Sequence, residues 1–186
     1  EGLRRQGLPV LAALVPGGYV TGIDAAGDVL AQARQEAERR GQRNVAFDTG
    51  DVYRLDFADG TFDVVHAHQV LQHLTDPVAA LREMRRVCRP GGIVAARDGD
   101  YGGFFWFPGE PEMTEWLALY RAVARAIGGE PDAGRHLLAW ARQAGFDDGG
   151  WQSVTLPHDW AIAGPFLEQG PHGGMGRLQT WGPVWY

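Results

Sequence analysis

Three times in succession the chain places a polar residue just past an apolar, strand-like run: Gly22-Ile23-Asp24, then Thr49-Gly50-Asp51-Val52, then Phe62 to Leu74 (FDVVHAHQVLQHL). Stretches with helical spacing lie between these runs. Strands that alternate with helices need crossover connections, which build a mostly parallel sheet with helices on both faces. In such an open sheet the loops at the carboxyl ends of the strands line one crevice, so residues far apart in sequence converge on one ligand there. Asp24, Asp51 and His68 are therefore expected at a single crevice, one suited to a nucleoside.

Tyr19 to Ile23 reads as a buried strand. Asp28 to Arg40 reads as an amphipathic helix, with Val29, Leu30, Ala33 and Ala37 at helical spacing and Gly41 to stop it. Asn44 to Asp48 is a short strand, Asp59-Gly60 a turn, and Phe62 to His66 a strand. Pro77 to Val87 is a helix that starts on its proline, and the sheet resumes at Ile93 to Ala96. Ahead of these, Leu11 to Val15 ends a first helix and Pro16-Gly17-Gly18 turns the chain. Tyr101 to Pro111 (YGGFFWFPGEP) sets aromatics between glycines and prolines and reads as a loop. Helical spacing returns over Glu112 to Ile127 and Ala133 to Ala144, and Trp151 to Leu156 is a candidate sixth strand. Residues 1–163 are expected to form one domain, atypical over 1–10, and 164–186 an irregular tail.

Composition narrows the partners. The 186 residues fit a single domain, and a net charge of −6 lacks the basic footprint that nucleic acid requires, so a small-molecule partner is expected. No stretch approaches the ~20 apolar residues of a membrane helix, and the N-terminus lacks signal-peptide regions; neither a membrane partner nor export is expected, and a cytoplasmic location is. Oligomeric state is left open. The single cysteine, Cys88, excludes an internal disulfide and reads as a core thiol. All 17 basic residues are arginine, which removes chemistries that need a lysine amine, among them Walker-type phosphate binding and Schiff-base catalysis.

Set beside Arg89-Pro90-Gly91-Gly92-Ile93-Val94, the three opening segments resemble the class I S-adenosylmethionine-dependent methyltransferases, in the expected order over roughly residues 11 to 155. The resemblance implies a Rossmann-like sheet, S-adenosyl-L-methionine as cofactor and methyl transfer to a small organic acceptor. One part departs from it. The family's first strand ends in a glycine-rich loop (GxGxG) under the methionine end of the cofactor, and here Glu1 to Pro9 (EGLRRQGLP) occupy that place. The sheet is accordingly expected to be incomplete at its N-terminal strand, and the chain to be a fragment or to carry an altered reading frame at its start.

The resemblance assigns roles residue by residue. Asp24 is a ribose ligand, because a carboxylate past a strand accepts hydrogen bonds from both hydroxyls; the plainer reading is an acid near a helix N-terminus, a place for which Asp28 is better set as a cap. Ala25 leaves room for the adenine. Asp51 accepts the adenine amino group, the next backbone N–H meets a ring nitrogen and Val52 and Tyr53 cover the ring face, or Asp51 simply opens an Asx turn toward Tyr53. The backbone at His68 and Gln69 contacts the methionine amino group. His68 and His73 are candidate bases, since an imidazole can take a proton from a phenol, amine or hydroxyl as the methyl arrives. His66-x-His68 lacks convergent Cys or Asp partners, so no metal is expected. Arg97, Asp98 and Asp100 follow the strand Ile93 to Ala96 at the crevice edge, as acceptor ligands or as solvated charges. Phe104 to Phe107, Trp116 and Tyr120 form an aromatic roof over the acceptor or a cover on the sheet edge. Two competing classes stay open: a nicotinamide oxidoreductase, which lacks its GxGxxG and catalytic pair here, and an inactive cofactor-binding relic or interaction module.

Overall fold

In the computed structural model the chain divides into two units, Glu1–Asp147 and Asp148–Tyr186, and the structure describes residues 7–147. The strand expected at Trp151 to Leu156 and the tail 164–186 lie outside the described residues. Helix α1 (Gly7–Leu14) leads through the Pro-Gly-Gly turn, where Gly18 N–H donates to Val15 O, into β1 (Val20–Asp24). Asn44 holds that turn from the far side, its amide donating to the carbonyls of Ala12, Val15 and Gly18 at 2.9, 3.0 and 3.2 Å. Helix α2 (Gly27–Arg39) then returns the chain to β2 (Val45–Thr49), parallel to β1 in a register that runs from Val20 opposite Val45 to Asp24 opposite Thr49. Leu30, Ala37 and Phe47 bury the interface between α2 and this ladder. The helix starts one residue earlier than its spacing suggests, with Ala26 at the cap position. Asp28 caps nothing; its carboxylate sits inside the first turn, where it complements the helix dipole.

The second ladder repeats the plan. Strand β3 (Phe62–His68) pairs in parallel with β4 (Cys88–Arg97), and α3 (Pro77–Val87) makes the crossover between them. Proline at its first turn and Asp76 ahead of it start α3, the Asp76 carboxylate accepting the Ala79 N–H at 2.9 Å, a cap worth about 1 kcal/mol. Ala80, Leu81 and Met84 of α3 bury against Ala67 and Leu71, with Ala144 closing the cluster. Strand β4 begins five residues before the expected Ile93, because Cys88 already pairs with Phe62 and the register then shifts across Arg89–Gly92. Two glycines permit that irregularity. Gly91 adopts φ 73°, and a Cβ at Gly92 would stand 2.7 Å from both Asp63 O and Cys88 Sγ. Cys88 is buried, as a core thiol should be, and burial raises its pKa.

Beyond β4 come a 3-10 turn (Tyr101–Gly103), α4 (Pro111–Ala126), a second 3-10 turn (Ala133–His136) and α5 (Leu137–Gln143). The stretch expected as one helix from Ala133 to Ala144 is thus tightened over its first four residues. The fold class is the expected one, parallel strands flanked by helices on both faces in Rossmann-like order. It is interrupted in one place: among the described residues the four strands form two two-stranded ladders, β1–β2 and β3–β4. What precedes β1 is the helix α1, and no described strand bridges β1 to β3.

Candidate cofactor and acceptor site

Each sequence-predicted ligand sits at a strand's carboxyl end. Asp24 is the last residue of β1 and stands opposite Thr49, the last of β2, and Gly50 N–H donates to Asp24 O at 3.1 Å. Asp51 is therefore held beside Asp24. Glycine is required between them, since a Cβ on Gly50 would lie 2.8 Å from Ile23 Cγ2. Both carboxylates also shape their own loops: Asp24 Oδ1 accepts the Ala26 N–H at 2.8 Å and Asp51 Oδ1 accepts the Tyr53 N–H at 2.9 Å. The plainer sequence readings of the two acids are therefore realised, and each still presents a second oxygen from an exposed position. Ala25 is exposed beside Asp24, while Val52 packs against the core cluster of the second ladder.

The second ladder ends likewise. His68 is the last residue of β3 and Arg97 the last of β4, paired across the ladder, with Gln69 N–H donating to Arg97 O at 2.7 Å. Gln69 is the one non-glycine residue with positive φ among the described residues, at 54°, a conformation costly for an L side chain and concentrated at functional sites. That bend ends the strand and leads directly into the segment that carries the 3-10 turn Leu71–His73. The Arg97 guanidinium approaches His68 Nε2 at 2.8 Å. Arginine only donates, so Nε2 accepts and can take a further proton only after Arg97 moves away. His66 lies on the same strand face, its ring 6.3 Å from that of His68; partial desolvation, and then the neighbouring imidazole, lowers its pKa. His73 is placed by Gln72: Gly99 N–H donates to Gln72 Oε1 at 3.3 Å, which orients the amide so that its nitrogen donates to His73 Nε2 at 3.1 Å.

The two ladders are fastened by a tyrosine that sequence reasoning considered only as a cover for the adenine. From the loop after β2, Tyr53 places its hydroxyl 3.2 Å from Thr75 Oγ1 and accepts the Asp76 N–H at 3.1 Å. Farther along the same connection, Glu83 accepts the Leu55 N–H, and Arg86 donates to the carbonyls of Leu55 and Phe57. Strapped to α3 in this way, the loop brings Asp51 and Val52 toward the turn that carries His73. Arg97 and Asp98 part company: Arg97 faces His68, while Asp98 turns inward to the 3-10 turn Leu71–His73 (its Oδ1 accepts the Gln72 N–H at 3.0 Å). Asp100 is committed to Arg135, which donates to both its oxygens.

Aromatic residues follow. Tyr101 meets Phe104 at a tilt at 4.7 Å and stacks on Tyr120 at 4.3 Å, and Tyr120 stacks on Trp116 at 5.6 Å. Phe105 and Phe107 are 92% and 95% exposed, so they cover no sheet edge in this state. Trp106 is partly buried, its indole N–H donating to Glu110 O at 3.2 Å.

Residues 5–96 match the model of a methyltransferase domain family. The chain is 40% identical over 137 residues to an uncharacterized methyltransferase of Schizosaccharomyces pombe, covering 70% of this chain and 49% of that protein. Over residues 5–96 the chain is similar to the class I S-adenosylmethionine-dependent methyltransferases. Among solved structures, a putative methyltransferase from Bacillus halodurans superposes with a TM-score of 0.58 at 23% identity, over 77% of this chain and 60% of that one. The cyclase SpnF superposes with a TM-score of 0.52 at 28% identity, over 70% of this chain and 43% of that one. The chain spans about half the length of the curated relatives it matches.

The superfamily cofactor can be tested against these residues. A nucleoside fits the Asp24–Asp51 edge, where two carboxylates with an oxygen each to spare stand at adjacent strand ends. The methionine ammonium needs carbonyl oxygens, which the bend at His68 and Gln69 can supply although the Gln69 N–H is already committed. The glycine cradle for the rest of the methionine end has no counterpart in Glu1 to Pro9.

Proposed function

We propose that this chain takes part in transferring a methyl group from S-adenosyl-L-methionine to a small organic acceptor. The observation that carries the proposal is the pair Asp24 and Asp51, held side by side by the Asp24 O to Gly50 N–H hydrogen bond, each with a carboxylate oxygen open to a ligand. Bound there, the cofactor would supply a methyl group already activated on a sulfonium. The protein's share is then proximity, alignment and exclusion of water. Asp24 binds the ribose and Asp51 the adenine edge, with Ala25 and Val52 beside the ring. The turn at His68 and Gln69 fixes the amino end. His68 and His73 stand as the proton acceptors for the acceptor group, His68 once Arg97 releases its Nε2. A net charge of −6 favours a small acceptor over nucleic acid.

The same architecture carries a cyclase in SpnF, so binding alone does not decide the reaction. Calorimetry with S-adenosylhomocysteine and with NAD is paired with a label-transfer assay, from methyl-labelled S-adenosylmethionine to a panel of phenols, amines and alcohols. Binding of S-adenosylhomocysteine, no binding of NAD, and label on an acceptor are the expected results. NAD binding in its place overturns the proposal, binding of S-adenosylhomocysteine with no label on any acceptor assigns the chain to the inactive relic, and binding of neither ligand assigns it to the interaction module.

A further inference from the structure

Gln72 is 4% exposed, and every polar group on it is engaged. Its N–H donates to Asp98 Oδ1 at 3.0 Å, its carbonyl accepts the Glu130 N–H at 2.9 Å, its side-chain oxygen accepts the Gly99 N–H and its amide nitrogen donates to His73. Three segments meet on this one residue: the 3-10 turn after β3, the loop after β4, and the segment that follows α4. Close approach is built in, since a Cβ on Gly129 would stand 2.7 Å from Gln72 O. Asp98 is the odd member. One carboxylate oxygen serves the N-terminal backbone of the 3-10 turn, while Oδ2 is buried with no hydrogen-bond partner among the described residues. A buried acceptor left unsatisfied is costly, and the pairing of one occupied and one vacant oxygen marks the place where a proton can be taken up.

We propose that Asp98 is a positioning residue for the cofactor: in its ionised form it clamps the Leu71–Gln72 backbone, and through it the Gln69 bend that receives the methionine end. This rests on the proposed cofactor reading of that bend. Burial, opposed by the Gln72 and Leu71 N–H groups, pushes the Asp98 pKa up to about 6, so the clamp changes state within an ordinary pH range. Protonation at Oδ2 weakens the hydrogen bond at Oδ1, and the turn loosens. Other charged groups surround the clamp and are separated from it by the test: His73 on the turn, His68 and Arg97 at the strand ends, Asp100 with Arg135, and Glu130 and Asp132 with Arg125.

The experiment measures S-adenosylhomocysteine affinity by calorimetry between pH 5.5 and 7.5, alongside the NMR shift of the Gln72 amide in the ligand-free protein. Wild type should bind about two- to tenfold more weakly at the acid end, the effect of weakening one hydrogen bond, with a midpoint near 6. The Gln72 amide should titrate with the same midpoint. Asp98→Asn mimics the protonated clamp, so it should bind at pH 7.5 as weakly as wild type does at pH 5.5 and lose both titrations. His73→Gln should keep both. A midpoint that survives in Asp98→Asn, or vanishes in His73→Gln, overturns the proposal, as does a Gln72 amide that does not titrate in wild type. If wild type binds no S-adenosylhomocysteine at any pH while the amide still titrates, the cofactor reading fails with its positioning role and only the pH-sensitive clamp remains.

Discussion

Replacing Asp132 by Asn tests whether the loop after β4 is anchored electrostatically. The Asp132 side chain is 5% exposed and accepts from Arg121 at 2.5 Å, from Arg125 at 2.6 Å and from the Gly102 N–H at 2.6 Å. Asparagine keeps the shape and the bond to Gly102 but loses the charge. Arg121 and Arg125 remain 33% and 46% exposed, so water can take over part of their solvation, which puts each lost charge-assisted bond near the low end of its range, about 1 to 1.5 kcal/mol. The expected loss at pH 7 is therefore ~2 to 3 kcal/mol, below the 3 to 5 typical of breaking a fully buried pair. The pH dependence has a definite sign. Burial by itself would raise the Asp132 pKa, but hydrogen bonds from Arg121, Gly102 and Arg125 hold it below the ordinary value. A carboxylate lowered in the folded state contributes stability above its unfolded pKa of about 3.9, and that contribution is lost as pH falls through the folded value. Urea denaturation at pH 7 and pH 3 should show a gap between wild type and variant that narrows in acid. A loss under about 0.5 kcal/mol at pH 7, or a gap that does not change with pH, would refute the argument.

Asp24→Ala should weaken S-adenosylhomocysteine binding by about 1 to 3 kcal/mol, the cost of one charge-assisted hydrogen bond, in calorimetry on a variant shown to be folded; unchanged affinity would remove Asp24 from the ribose site. Trp106→Ala should reduce label transfer to an acceptor more than it reduces cofactor affinity, whereas equal losses would assign the indole to packing. Gly92→Ala should cost about 1 to 3 kcal/mol in thermal denaturation, because the new methyl meets backbone and sulfur that cannot swing aside. A melting temperature equal to wild type would mean that the register shift of β4 relaxes freely.

Much of the fold was legible because its signals are local. Helix α3 is bounded as read, by a proline at its start and a stripe of Ala80, Leu81, Met84 and Val87 along its buried side. Strands β3 and β4 run one to five residues beyond their expected limits and β1 and β2 are each shifted one residue toward the C-terminus, where pairing replaced composition as the deciding force. Val20 and Asp24 are matched to the length of β2, and Cys88 is drawn into β4 by Phe62 across a bulge that apolar spacing does not encode. The separation into two ladders among the described residues was not legible, because apolar period marks each strand but not which strands pair.

The site was legible in position and not in wiring. Asp24, Asp51 and His68 fall at strand ends because period and turn residues locate strand ends, and a strand's end fixes where the next side chain stands. Which group that side chain engages depends on contacts 20 to 30 residues away, for which the sequence offers donors and acceptors but no addresses. Tyr53 reaches Thr75, Gln72 reaches Gly99 and Asp98, and Arg97 reaches His68, each across such a distance. Arginine at the end of β4 illustrates the consequence. From spacing it is one charge among three at a crevice edge, yet parallel register with β3 puts it opposite His68, and that pairing turns a candidate base into a hydrogen-bond acceptor until the guanidinium leaves. Under the proposed function, an anionic or strongly polar acceptor that drew Arg97 to itself would release His68 Nε2 when a proton has to be taken, and acceptor binding would then be coupled to base activation through one side chain.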